Sequence, residues 1–217
     1  MARKRVAILI SGRGSNMAAL IEAAAARDYP AEIVLIAANR PDAAGLLRAR
    51  AAGIATAVVD HAAHGKDRAA FERALQGELQ RHHVDLVCLA GFMRLLTPQF
   101  VAQWDGRLLN IHPALLPAFK GLDTHERALA AGVKIHGASV HFVVPAMDSG
   151  PIIAQAAVPV HDGDSTDTLA ARVLAAEHRI YPLALRLVAE GRVRVAGGRC
   201  LIDGAAALND VLIVPGR

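Results

Sequence analysis

A chain of 217 residues, 53% hydrophobic and 20% charged, has the size of one globular domain and can bury roughly 70% of the surface its unfolded form exposes. Its net charge of +4 comes from scattered Lys and Arg, and aromatics make up only 4%, so nucleic-acid stacking platforms are missing and small anionic ligands account better for the basic balance. No stretch reaches the ~18 apolar residues of a membrane helix, residues 5–10 are too short for a signal segment, and Cys88 and Cys200 form no Cys-x-x-Cys pair or metal-ligand spacing; a soluble protein of a reducing cytoplasm is expected.

Residues 4–10 read as a buried strand, 11–15 as a glycine turn and 16–27 as an alanine-rich helix, a βα unit whose loop can hold phosphate. In Ser11-Gly12-Arg13-Gly14-Ser15-Asn16 the glycines permit close backbone approach, and the helix start offers unpaired N–H groups at its positive dipole end. A dinucleotide fingerprint would need glycine at Met17 and an acidic residue where Asn39 and Arg40 stand. The Gly-Lys-Ser/Thr of a P-loop is also absent. A tight turn with Ser15 or Asn16 as N-cap is the competing reading.

Strands follow at 31–38 and 54–59, with a helix at 42–52 ending at Gly53 between them. Phe71, Leu75 and Leu79 mark an amphipathic helix over 66–82, before a buried strand at 84–90. Alternating β and α elements, with strands apolar on both faces, predict an α/β fold with a doubly wound, mostly parallel, Rossmann-like sheet. Residues 90–96 leave a strand end with glycine, aromatic, methionine and leucine side by side, a wall for a flat ligand or ordinary core. Thr97-Pro98 then starts a short helix.

In the next strand Asn110 and His112, two apart, project the same way, and Pro113 ends the ladder after them. Ligands bind at such carboxyl ends in open α/β sheets, and an amide beside an imidazole suits an oxygen that gains negative charge. A strand end capping its own turn is the alternative. Residues 124–131 read as helix, and strands at 134–144 and 151–160 form an antiparallel excursion around a turn in which Asp148 is either a turn former or an acid. Ser165, Thr166 and Asp167 offer caps for a helix to about Glu190, with Tyr181-Pro182 expected to kink it. Residues 192–217 read as two short strands and a loose tail. His125-Glu126 and His161-Asp162-Gly163-Asp164 lack zinc and calcium patterns, so no metal is expected. Without repeats or linkers, residues 1–217 read as a single domain.

Five motifs, Ile-Ser-Gly-Arg-Gly-Ser-Asn at 10–16, Ala-Gly-Phe-Met-Arg at 90–94, Leu-Asn-Ile-His-Pro-Ala-Leu-Leu-Pro at 109–117, His-Gly-Ala-Ser-Val-His-Phe at 136–142 and Asp-Ser-Gly-Pro-Ile-Ile at 148–153, closely resemble the folate-dependent formyltransferases of the glycinamide ribonucleotide transformylase (phosphoribosylglycinamide formyltransferase) type. The resemblance implies transfer of a formyl group from 10-formyltetrahydrofolate, a co-substrate, to the amine of glycinamide ribonucleotide in purine synthesis, without metal. It further implies Asn110, His112 and Asp148 as catalytic, Gly14, Ser15 and Asn16 at the substrate phosphate, and Glu177 at its ribose. Arg68, Met93, Arg94, Leu95, Leu96, Val144, Pro145, Ala146 and Met147 match the folate site. This divides the single domain into a phosphate-binding half (about 1–100), a catalytic and folate-binding half (about 101–191) and a tail (192–217). Phe119-Lys120 stands where aromatic-proline is common, and Arg13 takes a variable place. The rivals are methionyl-tRNA formyltransferase and formyltetrahydrofolate deformylase, each disfavoured because no added domain is visible, and a non-catalytic nucleotide-binding module. The partners implied are the two small molecules, with no nucleic acid or membrane, and a homodimer is compatible.

Overall fold

The computed structural model describes residues 2–205 and 214. Strands β1 (Lys4–Ile10), β2 (Ala31–Ala38), β3 (Thr56–Val58), β4 (Leu86–Leu89), β5 (Leu108–His112), β6 (Ile135–Phe142) and β7 (Ile152–Pro159) form one seven-stranded sheet, ordered β3-β2-β1-β4-β5-β6-β7. Helices α1 (Ser15–Ala24), α2 (Gly45–Ala51), α3 (Arg68–Arg81), α4 (Pro98–Gln103), α5 (Thr124–Ala130) and α6 (Thr166–Ala189) alternate with them, and β8 (Val193–Ala196) and β9 (Arg199–Ile202) make a separate hairpin. The predicted α/β class, with its mostly parallel sheet, is the observed one. The two short strands expected after residue 192 are β8 and β9, and the loose tail falls outside the described residues except for Val214. Among the described residues no helix is long and apolar enough to cross a membrane.

The chain forms two compact units, one running to Asn110 and including Phe142–Pro145, the other comprising Ile111–His141 and the chain from Ala146 onward. In the first, β1 to β5 pair in parallel. Such strands are buried on both faces and read as apolar runs; Val6, Ala7, Ile8, Leu9 and Ile10 are all fully buried. Ala7, Leu9, Leu35, Val87 and Leu89 pack against Phe71, Leu75 and Leu79 of α3 and Phe100 and Val101 of α4. Asp67, whose carboxylate accepts the Ala70 N–H at 2.8 Å, caps α3, and Thr97 caps α4 with Pro98 in its first turn.

In the second unit β6 and β7 pair antiparallel, as expected for the excursion. Ser165 caps α6 through a capping box closed by Thr168. Pro182 deprives α6 of one N–H, yet the helix runs on to Ala189. Its buried stripe, Leu169, Val173, Ile180, Tyr181, Ala184 and Leu185, also carries Glu177 at 6% exposure.

Gly137 marks the tightest backbone approach in β6: a Cβ there would lie 1.9 Å from the Ala156 carbonyl oxygen and 3.0 Å from Leu115 Cδ2. Gly137→Ala is therefore expected to cost about 2 kcal/mol by overpacking, lowering the urea midpoint at unchanged m-value. A wild-type midpoint would show that the β6–β7 pair can spread without cost.

Candidate functional site

The loop between β1 and α1 takes its shape from Gly14, which occupies the left-handed region at φ 70° and caps α1 without any side-chain hydrogen bond. The cap expected at Ser15 or Asn16 is thus corrected: glycine alone adopts that φ without strain, and Ser15 is already the first helical residue. A helix start without a side-chain cap can present backbone N–H groups to an anion. A Cβ at Gly14 would meet Met17 Cε at 3.1 Å and Gly45 Cα at 3.3 Å. Gly45, at the start of α2, donates its N–H to the Gly12 carbonyl at 3.0 Å and so braces the loop.

Residues 11–16 line a cavity of about 390 Å³ together with Asn39, Arg40, His61, Ala90, Gly91, Met93 and Arg94. The Ser11 hydroxyl accepts the Met93 N–H at 2.7 Å and donates to Asn39 Oδ1 at 2.6 Å. His61 Nδ1 lies 2.7 Å from the Asn39 carbonyl oxygen; a carbonyl only accepts, so that nitrogen carries a proton. Asn39, Arg40 and His61 escaped the sequence reading. The legible signal was Asn39, a polar residue directly after an apolar strand.

The wall residues of this unit surround the same segment. Arg68, the first residue of α3, donates from its guanidinium to the Leu95 carbonyl. Met93 and Leu95 are each 69% exposed, Arg94, Leu96 and Val144 are half-buried, and Pro145 is exposed. The structure therefore joins Met93 and Arg94 to the glycine loop around one cavity. Asn110 stands half-buried on β5.

In the second unit His112 is buried at 5% exposure. Its Nδ1 lies 3.4 Å from Asp148 Oδ2, and its Nε2 donates to the Phe119 carbonyl at 2.9 Å. Both ring nitrogens face acceptors, an arrangement that suits the doubly protonated imidazolium. Asp148, which the sequence left open as a turn former, has partners on each oxygen: Oδ2 also accepts the Gly121 N–H at 2.9 Å, and Oδ1 lies 3.8 Å from His141 Nε2. Ala146 and Met147 are exposed beside it. His141 and the Phe119 carbonyl were missed: the first lies inside the motif at 136–142 but was given no role, and the second is a backbone group with no sequence signature. Among the described residues no group of three or more His, Cys, Asp or Glu side chains is placed to hold a metal ion.

The sequence pattern described as "Formyl transferase" matches residues 4–185. The chain belongs to the formyl transferase family. It is 47% identical over 199 residues to the phosphoribosylglycinamide formyltransferase of Escherichia coli (strain K12), covering 92% of this chain and 93% of that one. It is 51% identical over 193 residues to the trifunctional purine biosynthetic protein adenosine-3 of Bos taurus, covering 89% of this chain but only 19% of that protein, so it spans about a fifth of the trifunctional relative. Among solved structures, glycinamide ribonucleotide transformylase 1 from Symbiobacterium toebii is 48% identical with a TM-score of 0.89, covering 92% of this chain and 94% of that one.

This formyl transferase also buries an imidazole that shares no acceptor with His112. His136, 1% exposed, packs edge-on against His125 and Phe119, with ring centroids 5.4 and 5.7 Å away, and neither of its nitrogens makes a well-formed hydrogen bond. Burial, reinforced by His125, pushes its pKa down to about 4, the Pro113 carbonyl opposing weakly. Burial likewise lowers His125. Between pH 6.5 and 4 the unfolded chain binds a proton that folded His136 refuses, so stability should fall with pH across that window, by at most about 3 kcal/mol, and not above it. Urea denaturation at several pH values should show this slope reduced in His136→Phe; identical profiles for the two proteins would assign the acid sensitivity to other groups.

Proposed function

We propose that the chain transfers the formyl group of 10-formyltetrahydrofolate to the amine of glycinamide ribonucleotide; the name of its Escherichia coli relative, phosphoribosylglycinamide formyltransferase, supports the formyl transfer and the acceptor. The observation that carries this reading is His112, a buried imidazole donating from one nitrogen and backed by the Asp148 carboxylate at the other, two residues from Asn110 on one strand. Gly14, Ser15 and Asn16 hold the substrate phosphate on backbone N–H groups, and Glu177 takes its ribose hydroxyls. Arg68, the segment Met93–Leu96 and residues Val144, Pro145, Ala146 and Met147 hold the folate.

In this mechanism the substrate amine attacks the formyl carbon, forming a C–N bond and a tetrahedral oxyanion. The Asn110 amide and His112 Nε2 donate to that oxygen, which replaces the Phe119 carbonyl as the acceptor of Nε2. Asp148 supports the imidazolium and, directly or through a water, accepts the proton that the attacking nitrogen must lose. The oxyanion collapses as the bond from the formyl carbon to the folate nitrogen breaks, and that nitrogen takes the proton held by Asp148, directly or through a water, which restores the carboxylate. The partners are these two small molecules. Two free cysteines fit a reducing cytoplasm.

Asn110→Ala and His112→Ala are each expected to lower turnover about 10²–10³-fold while the protein stays folded, and the double variant to lose less than the product of the two because they serve one oxygen. Folate absorbance followed with and without glycinamide ribonucleotide measures this; near-normal turnover in either single variant would sink the assignment. Gly14→Val, which puts a branched Cβ into the cradle, should raise the KM for glycinamide ribonucleotide far more than that for the folate. Equal rises would instead indicate general damage to the loop.

A further inference from the structure

Glu72 is 6% exposed and takes no part in the reaction just described. A buried carboxylate is costly unless hydrogen bonds meet it, and here both oxygens are met by one residue. Oε1 accepts the Thr97 N–H at 2.6 Å, and Oε2 accepts the Thr97 hydroxyl. Thr97 in turn accepts the Phe100 N–H at 3.3 Å and so starts α4. The same face of α3 grips the preceding chain at two more points, as its i, i+3, i+4 spacing allows. Arg68 donates to the Leu95 carbonyl, and Phe71 stacks on Phe92 with centroids 6.5 Å apart and planes 18° from parallel. Residues 92–96 have no regular secondary structure, yet Met93 and Leu95 stand with most of their apolar surface in solvent. Side chains so exposed cannot hold themselves in place by packing; their backbone has to be held from behind.

We propose that Glu72 is a positioning residue of the folate site, fixing the backbone of Phe92–Thr97 against α3 so that Met93 and Leu95 form a preset apolar wall for the planar ring system. The proposal rests on the reading that this segment faces the folate. A carboxylate suits the task because it offers an acceptor to a backbone N–H and another to a hydroxyl of the same residue, which fixes both position and rotation of the chain at Thr97.

The test measures both KM values, turnover and thermal midpoint for Glu72→Leu, Glu72→Gln, Thr97→Val and Leu95→Ser in the full chain. Glu72→Leu removes both acceptors and should raise the KM for 10-formyltetrahydrofolate about tenfold, with the KM for glycinamide ribonucleotide and the turnover at saturating folate within about twofold of wild type. Glu72→Gln keeps an acceptor for the Thr97 N–H and should recover part of the loss. Thr97→Val should mimic the Glu72 effect and add little to it in the double variant. If Glu72→Leu does not fold, Glu72→Gln and Thr97→Val carry the same comparison. A lowered thermal midpoint with both KM values unchanged, or both raised alike, overturns the proposal and leaves Glu72 as scaffold. Leu95→Ser tests the wall itself: if it leaves the folate KM unchanged, the folate-facing reading fails and the Glu72 role with it, whereas a raised KM there with none in the Glu72 variants rejects the Glu72 role alone.

Discussion

The hydroxyl of Ser11 ties together the ends of three neighbouring strands. It follows β1, donates to Asn39 just after β2, and accepts from Met93 just after β4, while its N–H donates to the Gly91 carbonyl at 3.1 Å. Strands buried on both faces offer few polar side chains along their length. Polarity therefore gathers where they end, and these ends satisfy one another, which fixes the geometry of the glycine loop before any ligand arrives. Gly45 adds a second brace, and a Cβ there would crowd it: it would lie 2.6 Å from Ile10 Cδ1, which would have to shift, and 3.2 Å from the Gly12 carbonyl oxygen. The ordering entropy of the loop is thus met on folding and not on binding, which is what preorganisation means for an anion held by N–H groups.

In the second unit the same logic is applied to a side chain. Phe119 and Asp148 sit at φ 51° and 47°, a conformation that residues other than glycine adopt at some cost. Each is tied to His112 there: the Phe119 carbonyl accepts from His112, and the Asp148 carboxylate meets both Gly121 and His112. Behind His112, Ser139 donates to the Ala114 carbonyl at 2.7 Å and accepts the Leu116 N–H at 3.0 Å, and Gln155 donates to the Leu116 carbonyl. The proline loop that follows the imidazole is therefore held by β6 and β7, so the ring has few ways to turn. Its contact to Asp148 is long at 3.4 Å, the kind of spacing that tightens when charge develops beside it.

Much of this was legible because it is local. Apolar runs gave the buried strands, Thr97-Pro98 gave the start of α4, and strand alternation put Asn110 and His112 on one face. What failed failed for physical reasons. Preference for Ser and Asn at helix starts pointed to Ser15 or Asn16, but the turn requires a positive φ, which selects Gly14. The second helix begins at Gly45, not residue 42; Asp42 instead pairs with Arg40 at 2.6 Å in the preceding turn. Asn39 and His61 reach the glycine loop only through the strand order β2-β1-β4, which no local pattern encodes. Glu72, on the helix read only from its apolar residues, carried no signal of its own. Its burial depends on a partner 25 residues away in sequence.

Three arginines, Arg13, Arg40 and Arg94, line the cavity beside the glycine loop, and they differ in how much charge they can offer an anion. Arg40, which lines the cavity, gives two hydrogen bonds to Asp42, at 3.0 and 2.6 Å, and Arg13 is exposed. Exposed charges lose their reach within about 8 Å at physiological salt, and a paired guanidinium has little left to give a second anion. The dipoles of α1 lie at a half-buried loop, with no acidic residue in the first turn and no side-chain cap to compete with a ligand. An anion placed there would depend on the number and direction of the loop's N–H groups as well as on these charges. The shape of the loop itself requires Gly14, for a reason that charge cannot replace: a side chain there would have to adopt φ 70° and set its Cβ against Met17 and Gly45.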